Sequence, residues 1–145
     1  RIEFFFLLGG FFLLFDQWIK FFFLYHQNFR LPFFTQWIGL EFFANYGVAF
    51  GLPIPNLITI LLTILILSGL CFYLLYKKPR ESRIILGITL IFSGAISNFI
   101  DRATLGFTID YFRLFTSLVN LADMLIVLGI ICLLTAKTDK PTAHI

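Results

Sequence analysis

The residues with which this sequence could do chemistry are a few aspartates in an otherwise apolar chain. Only eight of the 145 residues are acidic, and four of these lie within or beside long apolar stretches: Asp16, Asp101, Asp110 and Asp123. A carboxylate in such surroundings costs several kcal/mol unless it has a partner. These four aspartates are therefore the first candidates for a functional site.

Asp110 and Asp123 fit a known chemistry best. Asp110 lies in a short segment before the last apolar stretch, in which Asn120 and Asp123 are one helical turn apart. We expect Asp123 about seven residues into that helix, roughly 10 Å below its outer end. The short segment can return over the helix bundle and bring the two carboxyls together. Such a pair shares one proton, so that one carboxylate activates water while the other protonates a carbonyl oxygen.

The other charges also have packing interpretations, which stay open at this point. Asp16 and Lys20 have the i, i+4 spacing of an intrahelical ion pair. Asp101 and Arg102 can anchor a helix end at the membrane interface. A single aspartate at membrane depth can equally serve helix packing or ion pairing.

The elements that must position these residues are membrane helices. Hydrophobic residues make up 59% of the chain, charged residues make up 13%, and the mean hydropathy is +0.93. A soluble domain of this length cannot bury so much apolar surface, and the same composition excludes disorder. Crossing the bilayer takes roughly 20 apolar residues. We predict one all-α membrane domain over 1–145, with four transmembrane helices at about 4–25, 57–76, 84–102 and 114–136.

Basic residues predict the orientation. The connection 77–83 holds four of the eleven basic residues, and Arg1, Lys137 and Lys140 fall on the same side. The positive-inside rule places both termini and this connection in the cytoplasm. The outer loops are then about 26–56 and 103–113.

The first outer loop is aromatic and partly alternating, which predicts short strands or a segment lying in the interface. The first apolar stretch has no small-residue cleavage site and contains Asp16 and Lys20. We therefore expect it to be a retained span and not a cleaved signal peptide.

Several classes of function are disfavoured. A net charge of +3 is too small and scattered for nucleic-acid binding. Cys71 and Cys132 form no CxxC pair, so neither a disulfide framework, a metal site nor an intramembrane thiol oxidoreductase is expected. No cofactor is predicted. The main alternative to an enzyme is a small four-helix transporter or assembly factor that uses its acids for ion coupling.

Five polar blocks follow one another along the chain. They are DQWIK at 16–20, NYGVAFG at 45–51, NFIDR at 98–102, TIDYF at 108–112 and NLAD at 120–123. Any one of them could occur by chance, but in this order they closely resemble the signal peptidase II family, the lipoprotein signal peptidases of bacteria. The resemblance runs from about residue 16 to 130.

The resemblance implies a role for each matching residue. Asp110 and Asp123 would be the catalytic dyad of an aspartic protease. Asp16, Lys20 and Asp101 would be structural or substrate-positioning charges. The remaining polar positions would support the dyad and the substrate: Asn45, Gly47, Asn98, Arg102 and Asn120. The first outer loop would be a small β-rich platform on the membrane surface.

The resemblance also implies substrate, inhibitor and location. The substrate would be a membrane-bound prolipoprotein, cut just before a cysteine that already carries diacylglyceryl, without a metal. The antibiotic globomycin would bind the site. The protein would be a multi-pass protein of the bacterial cytoplasmic membrane with its active site at the outer face.

Two positions depart from the family pattern. Ser97 stands where glycine is usual before the NFIDR block, and Tyr111 stands where phenylalanine is usual after Asp110. Serine is small enough for close helix packing. From the sequence we expect that Ser97→Gly leaves activity nearly unchanged.

Overall fold

Four helices and four short strands make up the computed structural model, which describes residues 2–35, 37–47 and 54–136. In chain order they are α1 (Ile2–Tyr25), β1 (Arg30–Thr35), β2 (Ile38–Asn45), α2 (Asn56–Lys77), α3 (Ser82–Leu105), β3 (Thr108–Leu114), β4 (Ser117–Val119) and α4 (Leu121–Leu134). Arg1, Lys137, Lys140 and residues 48–51 of the second polar block lie outside the described residues.

Helices α1, α2 and α3 are long and apolar enough to cross a membrane. Their ends follow from local chemistry. Pro55 precedes α2, and Lys78 ends it in the left-handed conformation, with its N–H bonded to the carbonyl of Leu74. Gly106 ends α3 at φ 82°, which glycine adopts without steric cost. With the sheet described below, these helices confirm the predicted class: a helical membrane protein with a small β-rich part.

The prediction for the fourth helix is wrong in its start and length. The chain from Thr108 to Leu114 is strand β3, β4 follows, and α4 begins only at Leu121. Its 14 residues are fewer than the roughly 17 that span a bilayer. Apolar content does not distinguish a strand from a helix in a short run, which is why the start was misplaced.

The four strands form one antiparallel sheet in the order β1-β2-β3-β4. Only the first outer loop was expected to be β-rich, but the second contributes half of the strands. The pairing of β2 with β3 places Phe43 opposite Asp110 and Asn45 opposite Thr108. Strand pairing therefore brings the second polar block beside the fourth.

The sheet lies where α1 and α3 end and where α2 and α4 begin, which we call the sheet end of the bundle. The opposite end, the loop end, carries the start of α1, the connection 78–81 and the end of α4. Both loops of the sheet thus meet the same set of helix termini. Helices α1 and α3 contact β3 there.

Helix α3 is the centre of the bundle and packs most closely on α4. A Cβ at Gly87 would lie 2.8 Å from the carbonyl oxygen of Gly129, and one at Gly129 would lie 2.6 Å from that of Gly87. Only glycine allows the two backbones to approach so closely. In contrast, α2 has no buried residue.

Candidate active site

Asp110 is a buried carboxyl on strand β3 that is held by two amide groups. Asn120 Nδ2 donates to its Oδ1 at 2.7 Å, and Asn45 Nδ2 donates to its Oδ2 at 2.8 Å. The pairing of β2 with β3 supplies Asn45, and the residue before α4 supplies Asn120. Asp110 is thus fixed by two elements that lie far apart in the sequence.

Asp123 lies in the first turn of α4. Asn120 is the N-cap, its Oδ1 accepts from Asp123 N at 2.9 Å, and Asp123 Oδ2 accepts from Asn120 N at 3.3 Å. This reciprocal capping box positions the carboxyl. The expected depth of seven residues is therefore wrong, because the helix begins seven residues later than predicted. Asp123 lies near the helix start, level with Asp110.

Asn120 and Asn98 connect the two carboxyls. Asn120 donates to the carboxyl of Asp110 through its side-chain amide and to the carboxyl of Asp123 through its backbone N–H. Asn98, on α3, donates to Asp123 Oδ1 at 2.9 Å and accepts from Asn120 at 3.2 Å. The two acids are thus bridged by neutral amides.

Asp110 is poised to hold a proton. Burial, and next the negative charge of Asp123, raise the pKa of Asp110 to about 7, against opposing effects of the bonds from Asn45 and Asn120 and the charge of Lys20. Within the described part of the chain, neither Asp110 nor Asp123 forms a salt bridge. The pair therefore has the electrostatics needed for one shared proton.

A second group of charges lies beside this pair, on α1 and α3. Lys20 Nζ lies 2.9 Å from an oxygen of Asp16 and 2.9 Å from one of Asp101. All three side chains are buried. The intrahelical pair expected from the i, i+4 spacing is present, and Asp101 completes it from the neighbouring helix. We call Asp16, Lys20 and Asp101 the Lys20 cluster.

The Lys20 cluster is joined to the acid pair by an amide. Lys20 Nζ donates to Asn98 Oδ1 at 2.8 Å, and Asn98 in turn donates to Asp123. Asp101 also accepts from the backbone N–H of Ile109, the residue before Asp110. Asp101 is therefore buried and bonded to the sheet, which differs from an anchor at the membrane interface.

Ser97 and Tyr111 are further neighbours of the site, and the sequence did not predict their contacts. Ser97 Oγ donates to Asp16 Oδ2 at 2.6 Å, and Tyr111 OH donates to Asp16 Oδ1 at 2.8 Å. The two departures from the family pattern thus bond the two oxygens of one carboxylate. Burial, and next the charge of Asp16, raise the pKa of Tyr111, which keeps its hydroxyl a neutral donor.

Tyr111 also reaches the start of α4. Its hydroxyl accepts from the backbone N–H of Leu121 at 2.9 Å, next to Asn120. Gln17 is a further partner, since its Nε2 donates to Asp101 at 2.9 Å and to Ser97 at 2.9 Å. The only sequence signal for these contacts was that both positions carry a hydroxyl where the family does not.

Arg102 and Gly47 form the other side of the site. Arg102 Nη2 donates to the carbonyl oxygen of Gly47 at 2.8 Å, and Gly47 N donates to Asn45 Oδ1 at 2.9 Å. The guanidinium interacts electrostatically with Asp110, Asp123 and Asp101. Among the described residues, its buried Nη1 has no hydrogen-bond partner. One cationic donor is therefore left for a further group.

All ten residues selected from the sequence lie in this connected region. In the described ranges 2–35, 37–47 and 54–136, no group of three His, Cys, Asp or Glu side chains is arranged to hold a metal ion. The contacts instead form one chain of hydrogen bonds that runs from α1 through α3 and β3 to α4. Paired carboxyls held in this way are suited to general acid–base chemistry on a water molecule.

This arrangement is that of a membrane enzyme with two carboxyl groups at one end of a helical bundle. A family model described as signal peptidase (SPase) II matches residues 8–138. The chain therefore belongs to the signal peptidase II family, whose members are proteases. The resemblance identified from five blocks and the prediction of an enzyme are both confirmed, and a non-enzymatic transporter is not favoured.

Relatives with the name lipoprotein signal peptidase support this family assignment. The lipoprotein signal peptidase of Clostridioides difficile is 37% identical over 108 residues, which cover 71% of this chain and 72% of the relative. The lipoprotein signal peptidase of Enterococcus faecalis is 32% identical over 126 residues, which cover 81% of this chain and 77% of the relative. The lipoprotein signal peptidase of Streptococcus pneumoniae is 33% identical over 109 residues, which cover 72% of this chain and 71% of the relative.

Solved structures share the fold. A bacterial membrane enzyme determined by the in meso method superposes with a TM-score of 0.80 at 23% identity, over 94% of this chain and 92% of that one. A second bacterial membrane enzyme, also determined by the in meso method, superposes with a TM-score of 0.78 at 24% identity, over 91% of this chain and 92% of that one. At such identity the likeness establishes the architecture alone.

Proposed function

We propose that this protein removes the signal peptide from diacylglyceryl-modified prolipoproteins and that Asp110 and Asp123 are its catalytic pair. The observation that carries the proposal is the bonding of the two carboxyls. Asp110 accepts from the side-chain amides of Asn45 and Asn120, and Asp123 accepts from the side-chain amide of Asn98 and the backbone N–H of Asn120. The two carboxyls thus share Asn120, and neither has a salt bridge among the described residues. Family membership supplies the reaction class, cleavage of a signal peptide.

The proposed reaction starts with one carboxyl protonated and the other ionised. The carboxylate removes a proton from water, whose oxygen forms a bond with the scissile carbonyl carbon, while the protonated carboxyl gives its proton to the carbonyl oxygen. The resulting tetrahedral diol then collapses. The C–N bond breaks, the proton taken from water goes to the leaving amine, and the carboxyl that donated its proton recovers it.

The products of that reaction are a signal peptide with a new carboxyl terminus and a lipidated cysteine with a free amine. No acyl-enzyme forms, because water is the nucleophile. Burial and the negative charge of Asp123 raise the pKa of Asp110 to about 7, so Asp110 can carry the proton at neutral pH. Its carboxyl would then protonate the carbonyl oxygen, while Asp123 activates water.

Arg102 would bind the substrate main chain. Its Nη1 is buried, has no partner among residues 2–35, 37–47 and 54–136, and interacts electrostatically with both acids, so a backbone carbonyl of the substrate is a suitable acceptor. Asn45 and Gly47 would set the guanidinium in place from β2. The Lys20 cluster would fix α1 against α3 and hold Asn98.

The four-stranded sheet would support the substrate at the membrane surface. Exposed aromatic side chains, Phe33 and Phe43 among them, lie on β1 and β2. A diacylglyceryl substrate is itself bound to the membrane, so its scissile bond arrives at this interface. The basic connection at the loop end supports the proposal that this end lies in the cytoplasm and the site at the outer face of the cytoplasmic membrane.

A cleavage assay tests the proposal. Purified protein in detergent is given a prolipoprotein with or without its diacylglyceryl group, and the product is followed by gel shift. We expect cleavage of the lipidated form only, its inhibition by globomycin, and its loss in Asp110→Asn and Asp123→Asn.

Glu41→Gln is the matched control for these variants, because it also neutralises an acid of the sheet. Glu41 contacts Arg113 and Arg30 and no member of the acid pair. It should retain wild-type cleavage. Full activity in a folded Asp110→Asn or Asp123→Asn variant would refute the assigned pair, and cleavage of neither substrate by folded wild-type protein would refute the function.

A further inference from the structure

A groove between α1, α2 and α3 opens at the loop end, away from the acid pair. It encloses about 970 Å³. Its walls are apolar and come from all three helices, with Phe6, Gly10 and Leu13 on α1, Leu74 on α2, and Ile88 and Phe92 on α3. The groove takes no part in the proposed reaction, so it has to be explained separately.

The groove is present because α2 packs sparsely against the other helices. None of the residues in its most apolar 18-residue window is buried, against 56% of those of α3. A gap of this size between helices loses the packing contacts of its walls unless something fills it. Within a bilayer the available filler is a hydrocarbon chain.

The mouth of the groove is positively charged. Lys78 and Arg80, in the connection between α2 and α3, both line it. Glu3 and Glu81 lie at the same end of the bundle but are not among its lining residues. An apolar cleft with two cations at its opening matches a molecule that has an acyl chain and an anionic head.

We propose that this groove binds one anionic phospholipid, with an acyl chain between α1, α2 and α3 and its phosphate at Lys78 and Arg80. The charge of the mouth distinguishes this occupant from a signal peptide. The amino-terminal region of signal peptides is itself basic, so Lys78 and Arg80 repel it. The proposal is therefore independent of the proposed reaction.

Two sets of variants, each with its control, test the two parts of the groove. Lys78→Gln and Arg80→Gln remove the cations, and Lys77→Gln is their control, because Lys77 lies 5.5 Å over the ring of Tyr76 and does not line the groove. Gly10→Leu fills the groove, since a Cβ at Gly10 meets no atom within 4 Å. Gly69→Leu is its control, being equally free of neighbours but outside the groove.

Native mass spectrometry of the full chain in detergent measures binding, with palmitoyl-oleoyl phosphatidylglycerol as the probe and the matching phosphatidylethanolamine as the comparison. We expect one retained phosphatidylglycerol, bound about tenfold more tightly than phosphatidylethanolamine. Each of Lys78→Gln and Arg80→Gln should weaken it about fivefold, and both together about 30-fold. Gly10→Leu should remove either lipid, whereas both controls should stay within about twofold of wild type.

Four outcomes would overturn the proposal. They are equal retention of the two lipids, equal weakening by Lys77→Gln, undiminished binding in Gly10→Leu, and no retained lipid in a wild-type protein that unfolds cooperatively on heating. A dimer that Gly10→Leu dissociates would assign the groove to a second copy of the chain, and would overturn it as well.

Discussion

The acid pair and the Lys20 cluster are neighbouring groups of the same residue type in opposite electrostatic settings. Asp16 and Asp101 each lie 2.9 Å from the ammonium of Lys20. Asp110 and Asp123 have amide donors and, within the described residues, no salt bridge. A paired cation favours the ionised carboxylate, whereas burial beside another acid favours a shared proton.

The comparison teaches that partners decide the function of a buried aspartate, and that burial alone does not. All of Asp16, Asp101 and Asp110 are buried. The Lys20 cluster is expected to contribute to stability and the acid pair to activity.

The largest expected effect comes from the acid pair. Asp110→Asn or Asp123→Asn should lower the cleavage rate by about 1000-fold or more, since each acid carries a separate proton transfer. At pH 8 neither should lower the thermal unfolding midpoint by more than about 3 °C, because no salt bridge is lost. A comparable fall in the midpoint would show that the pair is structural and would erase the contrast with the Lys20 cluster.

Removing the cation of the Lys20 cluster should instead lower the stability of the protein. Lys20→Met leaves two buried carboxylates without their counter-ion, which should cost about 3 to 5 kcal/mol of unfolding free energy. Denaturant unfolding in detergent micelles measures this value. Lys77→Met, at an exposed lysine, is the control and should change it by less than about 0.5 kcal/mol. A loss of activity without a loss of stability in Lys20→Met would contradict the structural role.

The pH dependence should come from Asp110. Its pKa of about 7 in the folded protein exceeds the ordinary value of 3.8, so the folded state binds the proton more tightly. Its contribution to stability is complete below about pH 4 and is lost as pH rises through 7. As pH rises from 5 to 7, the unfolding free energy of the wild type should fall by about 2 to 3 kcal/mol relative to that of Asp110→Asn.

Activity should follow the same proton. Above pH 7 the acid pair loses its shared proton, so the cleavage rate should fall about tenfold per pH unit. Rates measured from pH 5 to pH 9, with thermal unfolding at each pH, separate the two effects. A rate that stays constant to pH 9 would mean that no group with a pKa near 7 has to be protonated.

The smallest effect should come from the two hydroxyls on Asp16. Ser97→Gly and Tyr111→Phe each remove one donor from a buried carboxylate, which should cost about 1 to 3 kcal/mol of stability. The cleavage rate should stay within about threefold of wild type, since neither hydroxyl bonds the acid pair. A double-mutant cycle measures their coupling. Simple additivity would show that the two donors act independently of each other on Asp16.

Local spacing in the sequence predicted the acid pair, whereas the resemblance supplied most of its partners. Asn120 and Asp123 are one helical turn apart, and the order of the five blocks brought Asn45 and Asn98 to the same site. Their contacts depend on β2 pairing with β3, across the whole of α2 and α3. No local pattern shows such a register, and only the resemblance pointed to it.

The start of α4 was missed although the sequence contains its signal. Asn120 followed by Asp123 is the spacing of a capping box, which marks the first turn of a helix. The long apolar run over 114–136, in which Asp123 is the one charged residue, outweighed that signal. Ser97 and Tyr111 were missed for a different reason, since a hydroxyl finds its acceptor only after α1, α3 and β3 have packed together.

The ion pair within α1 also bears on how the chain enters the membrane. Helix α1 precedes α3 in the chain, so Lys20 is synthesised before Asp101 exists. A lone Asp or Lys at the centre of an inserting helix costs about 2.5 to 3.5 kcal/mol. Because Asp16 and Lys20 lie on one face at 2.9 Å, the part of α1 that holds them can insert without a net charge. When α3 follows, Asp101 joins a partner that is already in place.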